Sequence, residues 1–599
     1  MDRHYLKKSY DVVVIGGGMS GCCAAIAAAR HGASVGFIQD RPVLGGNASS
    51  EIRVGLSGAC WIASTGKPYH RHARETGIID EIRTEYWVRD PHWSHSLRDL
   101  ILLEHVDAEK RIDLYLNYRA CDVVMKRPGT IGAVRAEPLV TETPIELEAG
   151  VFIDASGDGW VAALAGAEWR TGREGRDEFD ENLAPEKPDT YTMGNSIYFT
   201  TKDVGKPVKF VAPDWAIAFN DEKFPLRDHD GPTEKFWWLE YGGMMNTIED
   251  ADAIYRELTR IVMGVWDHIK NSGHHDADNL ALDWIGKVPG RRESRRFMGD
   301  HVLRQSDLID SVRFDDRVAY GGWWIDQHPP GGVYDPAPPA AYPPTEDIYS
   351  IPMRSLYSRN IDNLLLAGRS ISTTHVAHAS TRVMLTLSVI GQASGTAAAL
   401  CAEHRCLPRA VAADHIAELQ QRLLRDDAYL IGLPNQDPRD LARAGKATAT
   451  STWTPSDGEA EEFGHSDFGA ANVLSGIARP EKGVSSNLWV SDPGAGLPQE
   501  LTVELPERAE IGQIDLRFDT NLNVRHVLGP APECVRDYRI ELRSEGHWHQ
   551  VHTETGNCRR HRIHDIGPLR GDAVRLTVLA THGAFSARVY EVRIYPPTA

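Results

Sequence analysis

The chain has 599 residues, 42% of them hydrophobic and 25% charged, enough to fill two or three separate cores. With 65 basic against 84 acidic residues its net charge is -19, which weighs against sequence-independent binding to nucleic acid. The 8 cysteines show no CxxC or zinc spacing and read as reduced thiols of a cytoplasmic protein. No apolar run approaches the ~20 residues that cross a bilayer, so no membrane span is expected.

Residues 10–15 (YDVVVI) are a short β-branched run and predict a strand buried on both faces. GGGMSG follows, and then the alanine-rich CCAAIAAARHG, a helix ending at Gly32. The apolar run 33–38 completes a strand–turn–helix–strand unit of a doubly wound sheet. Residues 173–347 are rich in tryptophan, charge and proline and lack a long clean periodicity. They predict a substrate-facing cap, inserted into the nucleotide-binding part, with the proline-rich stretch 335–344 as a surface loop. NLLLAGR, from Asn363, predicts a return to the sheet, residues 383–403 a long helix of small residues, and 415–427 a charged closing helix. Beyond residue 445 the runs LTVEL, IGQIDLRF, YRIELRS, VRLTVLA and VYEVRIY predict a β-sandwich. The expected fold class is therefore α/β plus an all-β sandwich. Its parts are a Rossmann-type domain at 1–172, an inserted cap at 173–347, a return at 348–445 and the sandwich at 446–599.

Gly16, Gly18 and Gly21 form GxGxxG between the first strand and its helix. Gly16 permits the tight turn, Gly18 lets the backbone approach a pyrophosphate, and Gly21 lets helix and strand pack closely. Met19 and Ser20 open the helix, whose free N–H groups and positive dipole end suit phosphate. Where a ribose-binding carboxylate is usual, about 20 residues on, the sequence reads Gln39-Asp40-Arg41. Three later stretches favour FAD over NAD: Gly45, Gly46 and Asn47 resemble the GG segment of many flavoproteins; Ala155, Gly157 and Asp158 lie within DASGDG, similar to an ATGDG-type stretch of FAD proteins; and Gly368-Arg369 stand ahead of Gln392 and Gly395. Repeated returns to one long cofactor point to FAD.

RPVLGGNASSEIRVG from Arg41, ARETGI from Ala73, PGRRESRR from Pro289 and HVAHASTRVMLTLSVIGQASGTAAAL from His375 carry a resemblance. The chain resembles the FAD-dependent oxidoreductases of the glutathione-reductase-like Rossmann superfamily that carry Gly-Gly-Asn-Ala-Ser after the second strand. ANVLSG, SNLWVSD and VYEVRIY resemble a discoidin or coagulation-factor type C module, a galactose-binding-like sandwich.

The candidate chemistry lies around residue 375. The resemblance implies that the long helix points its N-terminus at the flavin, with Arg382 adding a positive charge or holding an anion. His375 or His378 would be the general base for an alcohol proton while hydride moves to flavin N5. The resemblance also raises Arg295, within the charge cluster 291–296, as an active-site arginine, and Arg74 and Glu75 behind it. Trp237, Trp238, Trp323 and Trp324 are a sugar-stacking cleft or core residues. No metal centre is expected, because His274, His275, Asp276 and Asp278 read as a polar surface loop. HEXXH, GXSXG and GxxxxGK[ST] are absent.

These features predict an FAD-dependent oxidoreductase acting on a small polar substrate, a carbohydrate or glycoside. One alternative is a flavin-dependent reductase or desaturase of a carboxylate, with Arg382 and Arg295 as the clamp. Another is a carbohydrate-binding protein with a structural flavin or none. The electron acceptor, the mode of flavin attachment and a homo-oligomeric state stay open.

Overall fold

The computed structural model describes residues 4–60, 69–220, 226–229, 236–525 and 528–597. They divide into two compact units: Met1–Gly58 with Ser94–Ile416, and Ala59–Trp93 with Ala417–Ala599.

The first unit is built on a mixed sheet. Strand β1 (Leu6–Ile15) runs parallel to β2 (Val35–Gln39) on one side and to β6 (Ile145–Asp154) on the other. Val12, Val13, Val14 and Phe37 are fully buried, as a strand covered on both faces requires. Strand β3 (Ile112–Leu116) extends the parallel edge, while β4 (Tyr118–Arg127) and β5 (Thr130–Pro138) add an antiparallel hairpin beyond β6. Leu364–Leu366 returns, as predicted, to pair in parallel with the end of β6.

Between β1 and β2 runs helix α1 (Met19–Arg30), which crosses the long helix Met384–His404 with the two backbones in contact. A Cβ on Gly391 would lie 2.0 Å from the Ser20 carbonyl oxygen, and one on Gly395 2.1 Å from that of Ala24. The four-residue spacing on both helices makes one continuous groove. The longer helix corrects the expectation that no run is apolar and long enough for a bilayer. Its 21 residues pass by length and composition, but 94% of the apolar window is buried by protein, as in a core helix.

Residues 173–347 hold a helix the sequence reading missed, Ala251–Asn271. It buries Ile254, Leu258, Ile261, Val265, Trp266 and Ile269 against Phe199, Phe236 and Trp238. Trp238 is thus a core residue, and its indole donates to the Asp228 carbonyl at 2.8 Å.

The second unit is an antiparallel β-sandwich. Gln499–Phe518 pairs with His561–Thr581, and its second half also with Arg588–Tyr595. Register shifts between Glu504 and Ala509 and between Ile511 and Gln513 bend the long strand. LTVEL and IGQIDLRF thereby become one strand over a core that includes Leu501, Val503, Ile514, Phe518, Ile540 and Val578. The helix Ile78–Arg89 belongs to this unit. Arg74 is fully buried, pairs with Asp80 at 3.1 Å and donates to Thr520 Oγ1 at 2.6 Å. Glu75 accepts from the Ala59 amide at 2.6 Å. Within the second unit both residues are tied into its own packing. Cys534 and Cys558 are free thiols.

Candidate active site

The turn after β1 is shaped by contacts that only glycine allows. Gly16 has φ of 101°, and a Cβ there would lie 2.5 Å from the Ala155 carbonyl carbon and oxygen. A Cβ on Gly21 would lie 1.8 Å from the Gly16 carbonyl oxygen. Gly18 is different: among the described residues nothing lies within 4 Å of a Cβ placed there. It caps α1 with extended backbone and no side-chain hydrogen bond, so the first turn keeps donors for a ligand. Gly45 donates to the Gly17 carbonyl at 2.8 Å and bridges to Gly18, which lays the second glycine pair beside the first. The hydroxyls of Ser20 and Ser49 are buried here with no hydrogen-bond partner among the described residues.

Gln39 turns inward. Its Oε1 accepts from the Gly17 amide at 2.8 Å and its Nε2 donates to the Val43 carbonyl at 3.1 Å. The expected ribose-binding side chain therefore holds the glycine turn itself. Asp40 is exposed, and Arg41 pairs with Glu51 at 3.1 Å. Gly395 and the buried Gln392 lie on the long helix, and Gly395 allows its close crossing with α1.

DASGDG brings distant segments together. Asp154 accepts from the Ser156 and Ala162 amides at 3.0 and 2.8 Å and so shapes the turn holding Ala155 and Gly157. Asp158 pairs with Arg291, with Arg369 at 2.6 Å, and with the Ser294 hydroxyl at 2.7 Å. Burial pushes its carboxyl up, but the two guanidinium groups outweigh that and hold it below the usual range. Asn47 donates to the Arg291 carbonyl at 3.1 Å, and Gly368 turns at φ of 87° beside this cluster. The Nε atoms of Arg291 and Arg369 are buried with no hydrogen-bond partner among the described residues. Arg295 donates to the Asp158 carbonyl at 3.2 Å and stacks 5.2 Å from the centre of the Trp169 ring.

His375 and His378 lie on a short helix, His375–Thr381, that ends before the long one begins. Its N-terminus is capped by the Thr374 hydroxyl, which accepts from the Ala377 amide at 3.1 Å. The long helix expected over 383–403 follows as Met384–His404, and both histidines sit on the separate short helix before it. His375 is clamped: its amide donates to Glu174 at 2.8 Å and its Nδ1 lies 2.9 Å from Glu293. Both carboxylates also bind the fully buried Arg296. His378 points Nε2 at the Arg292 carbonyl, 3.1 Å away. A carbonyl only accepts, so Nε2 carries the hydrogen and Nδ1 the lone pair. Nδ1 is buried with no hydrogen-bond partner among the described residues, and burial pushes the ring's pKa down to about 3.

Next to these lies a buried chain of charges that the sequence reading did not single out. Arg382 donates to Asp326 at 2.9 Å, and His328 lies 3.2 Å from Asp326 and 2.7 Å from Glu240. Glu240 in turn pairs with Arg292 at 3.3 Å. Trp237 packs edge-on against His328, and Trp323 donates to Asp326 at 3.3 Å. Burial raises the Asp326 and Glu240 carboxyls, yet His328, Arg382 and Arg292 overcome it and keep both ionised.

The sequence profile of the family described as FAD dependent oxidoreductase matches residues 11–423. The chain belongs to the FAD-dependent oxidoreductase family. No curated protein matches this FAD-dependent oxidoreductase. Among solved structures, it is similar to the family 32 carbohydrate-binding module of C. perfringens NanJ in complex with galactose. Identity is 16%, covering 26% of this chain and 98% of that one, with a TM-score of 0.20. A chitosan-binding module from Paenibacillus sp. IK-5 is 18% identical, covering 26% and 98%, at 0.19. The family 32 module of Streptococcus pneumoniae EndoD is 16% identical, covering 26% and 97%, at 0.20.

Membership of an FAD-dependent family implies FAD, and the residues present fit it. The open side of Gly18, the uncapped start of α1 and the unpartnered Ser20 and Ser49 hydroxyls suit a diphosphate. The unsatisfied Nε donors of Arg291 and Arg369 suit further acceptor atoms nearby.

Proposed function

We propose that the protein oxidises a hydroxyl group of a small, neutral, polar substrate, a carbohydrate or glycoside, using FAD. The observation that carries this reading is the buried Nδ1 lone pair of His378, an acceptor with no hydrogen-bond partner among the described residues. FAD, when bound, supplies the two-electron acceptor that takes the hydride at N5.

The chain's own residues have distinct tasks in this reading. The glycine turn and Ser20 bind the diphosphate, while Asp158 fixes Arg291 and Arg369 around the cofactor. His378 accepts the hydroxyl proton at Nδ1. Burial keeps the ring neutral with its Nδ1 lone pair available, and the nearby Glu293 carboxylate favours the protonated ring and partly offsets the basicity lost to burial. Arg382 and Arg292 are already paired with Asp326 and Glu240, which favours an uncharged substrate over a carboxylate. Trp237 and Trp323 offer ring faces and exclude water.

The test is anaerobic mixing of the FAD-loaded protein with a panel of sugars, glycosides and hydroxy acids, read as bleaching of the visible flavin bands. Reduction by at least one carbohydrate is expected. Bleaching only by hydroxy acids would transfer the assignment to a carboxylate substrate, and bleaching by none of the panel would remove the alcohol-oxidation reading.

A further inference from the structure

We propose that His229, His268 and His275 form a binding site for a first-row divalent cation, zinc above all, within the cap region. One ring nitrogen from each of the three lies within 4.8 Å of the other two. The ring centres form a nearly equilateral triangle with sides of 5.3, 5.1 and 5.1 Å. The Nε2 atoms of His268 and His275 are 3.2 Å apart. A tetrahedral zinc with Zn–N distances of about 2.0–2.1 Å holds its nitrogens roughly 3.3 Å apart, so this pair is already at ligand spacing.

Each histidine is held by a different anchor. His268 sits in the last turns of the helix Ala251–Asn271, next to the buried Trp266. His275 is on the loop after that helix, pinned by Lys270, whose amine donates to the Ala277 and Asp278 carbonyls, both at 2.6 Å. His229 belongs to a segment fixed from two sides: Asp228 accepts from the Trp238 indole at 2.8 Å, and the buried Arg227 donates to the Gly332 carbonyl at 2.8 Å. The Nδ1 of His229 donates to the Arg227 carbonyl at 2.8 Å, which puts the lone pair on Nε2. A backbone carbonyl on the second ring nitrogen is the usual way a ligating imidazole is oriented.

Three neutral imidazoles suit zinc, copper, nickel or cobalt and not magnesium or calcium. Convergence from a helix end, a loop and a separate segment makes the ion a staple for the cap. Water would complete the four-coordinate shell.

The experiment uses tag-free full-length protein, stripped with a chelator and titrated with zinc, then with cobalt as a spectroscopic probe. One zinc per chain with micromolar or tighter affinity is expected. Cobalt should show the intense visible bands of a tetrahedral ion, and zinc should raise the melting temperature. His275→Gln, at a half-exposed position, should weaken zinc at least about tenfold and abolish the thermal shift. His229→Gln provides a second check should either variant fold poorly. The proposal is overturned if zinc binds no tighter than millimolar, or if both variants bind like the parent. It is equally overturned if binding disappears only on replacing His552, which belongs to a separate His552, Glu554 and His564 group in the sandwich.

Discussion

Nε2 of His378 donates to the main-chain carbonyl of Arg292 across 3.1 Å, and that single bond decides which ring nitrogen keeps the lone pair. The carbonyl belongs to the same residue whose guanidinium pairs with Glu240, so the tautomer and the buried charge chain share one anchor.

His378→Gln keeps a donor for that carbonyl but removes the basic nitrogen. The rate of anaerobic flavin reduction should fall by about 10²–10⁴-fold, with the bound flavin spectrum and melting temperature close to the parent's. Unchanged reduction kinetics would exclude this ring as the base.

Gly18→Ala and Gly21→Ala should separate binding from folding. A Cβ at 18 meets nothing within 4 Å among the described residues, while one at 21 meets the Gly16 carbonyl oxygen at 1.8 Å. The first variant should fold normally and lose FAD affinity by about tenfold or more, about 1.4 kcal/mol. The second should express poorly or melt early whether FAD is added or not. Equal flavin affinity in Gly18→Ala and the parent would show that the diphosphate does not pass over this residue.

Asp326→Asn leaves Arg382 and His328 without their shared carboxylate in a buried place. Unpairing a buried charge costs about 3–5 kcal/mol. Urea denaturation should show a loss of that size, with Arg382→Met recovering part of it in the double variant. A loss under about 1 kcal/mol would mean that water reaches the pair.

His72 tests pH dependence in the second unit. Burial pushes its pKa down to about 4, below the ordinary 6.5, and the neutral ring bonds to Asn523 and to the Phe463 carbonyl. The unfolded chain therefore takes up the proton first. This group's contribution is complete above pH 6.5 and drains away as pH falls towards 4, by about 1.4 kcal/mol per unit. His72→Asn tolerates the same positive φ of 54° and does not titrate. Its stability relative to the parent should improve steadily from pH 7 to pH 4.5. A constant difference over that range would rule out a buried neutral histidine.

The glycine motifs were legible because each answers a backbone constraint that leaves a mark in one residue type. Gly16 and Gly21 are forced by close approach, and DASGDG by a turn that gathers Asp154 and Asp158. The strands of the sandwich were legible from their alternation. The helix Ala251–Asn271 was missed although its apolar residues recur at three and four, because the surrounding tryptophans and prolines masked the pattern. Glu240, Asp326 and His328 were not legible. Their ionic partners lie up to 88 residues away, and no local pattern marks a carboxylate whose guanidinium arrives from another segment. The inward turn of Gln39 was not legible either, since its amide bonds the backbone of Gly17 and Val43, which no local pattern marks.

Ala59–Trp93 is counted by its contacts with Ala417–Ala599, although it is bounded on both sides by stretches of the other unit. The sandwich is therefore not a cassette that one cut and one join can remove or transplant. A truncation near residue 445 would strand the buried guanidinium of Arg74 without Thr520, and an excised 450–599 fragment would lose the arginine that this threonine binds. Protein engineering on this scaffold has to move two pieces of chain together, or leave the sandwich where it is.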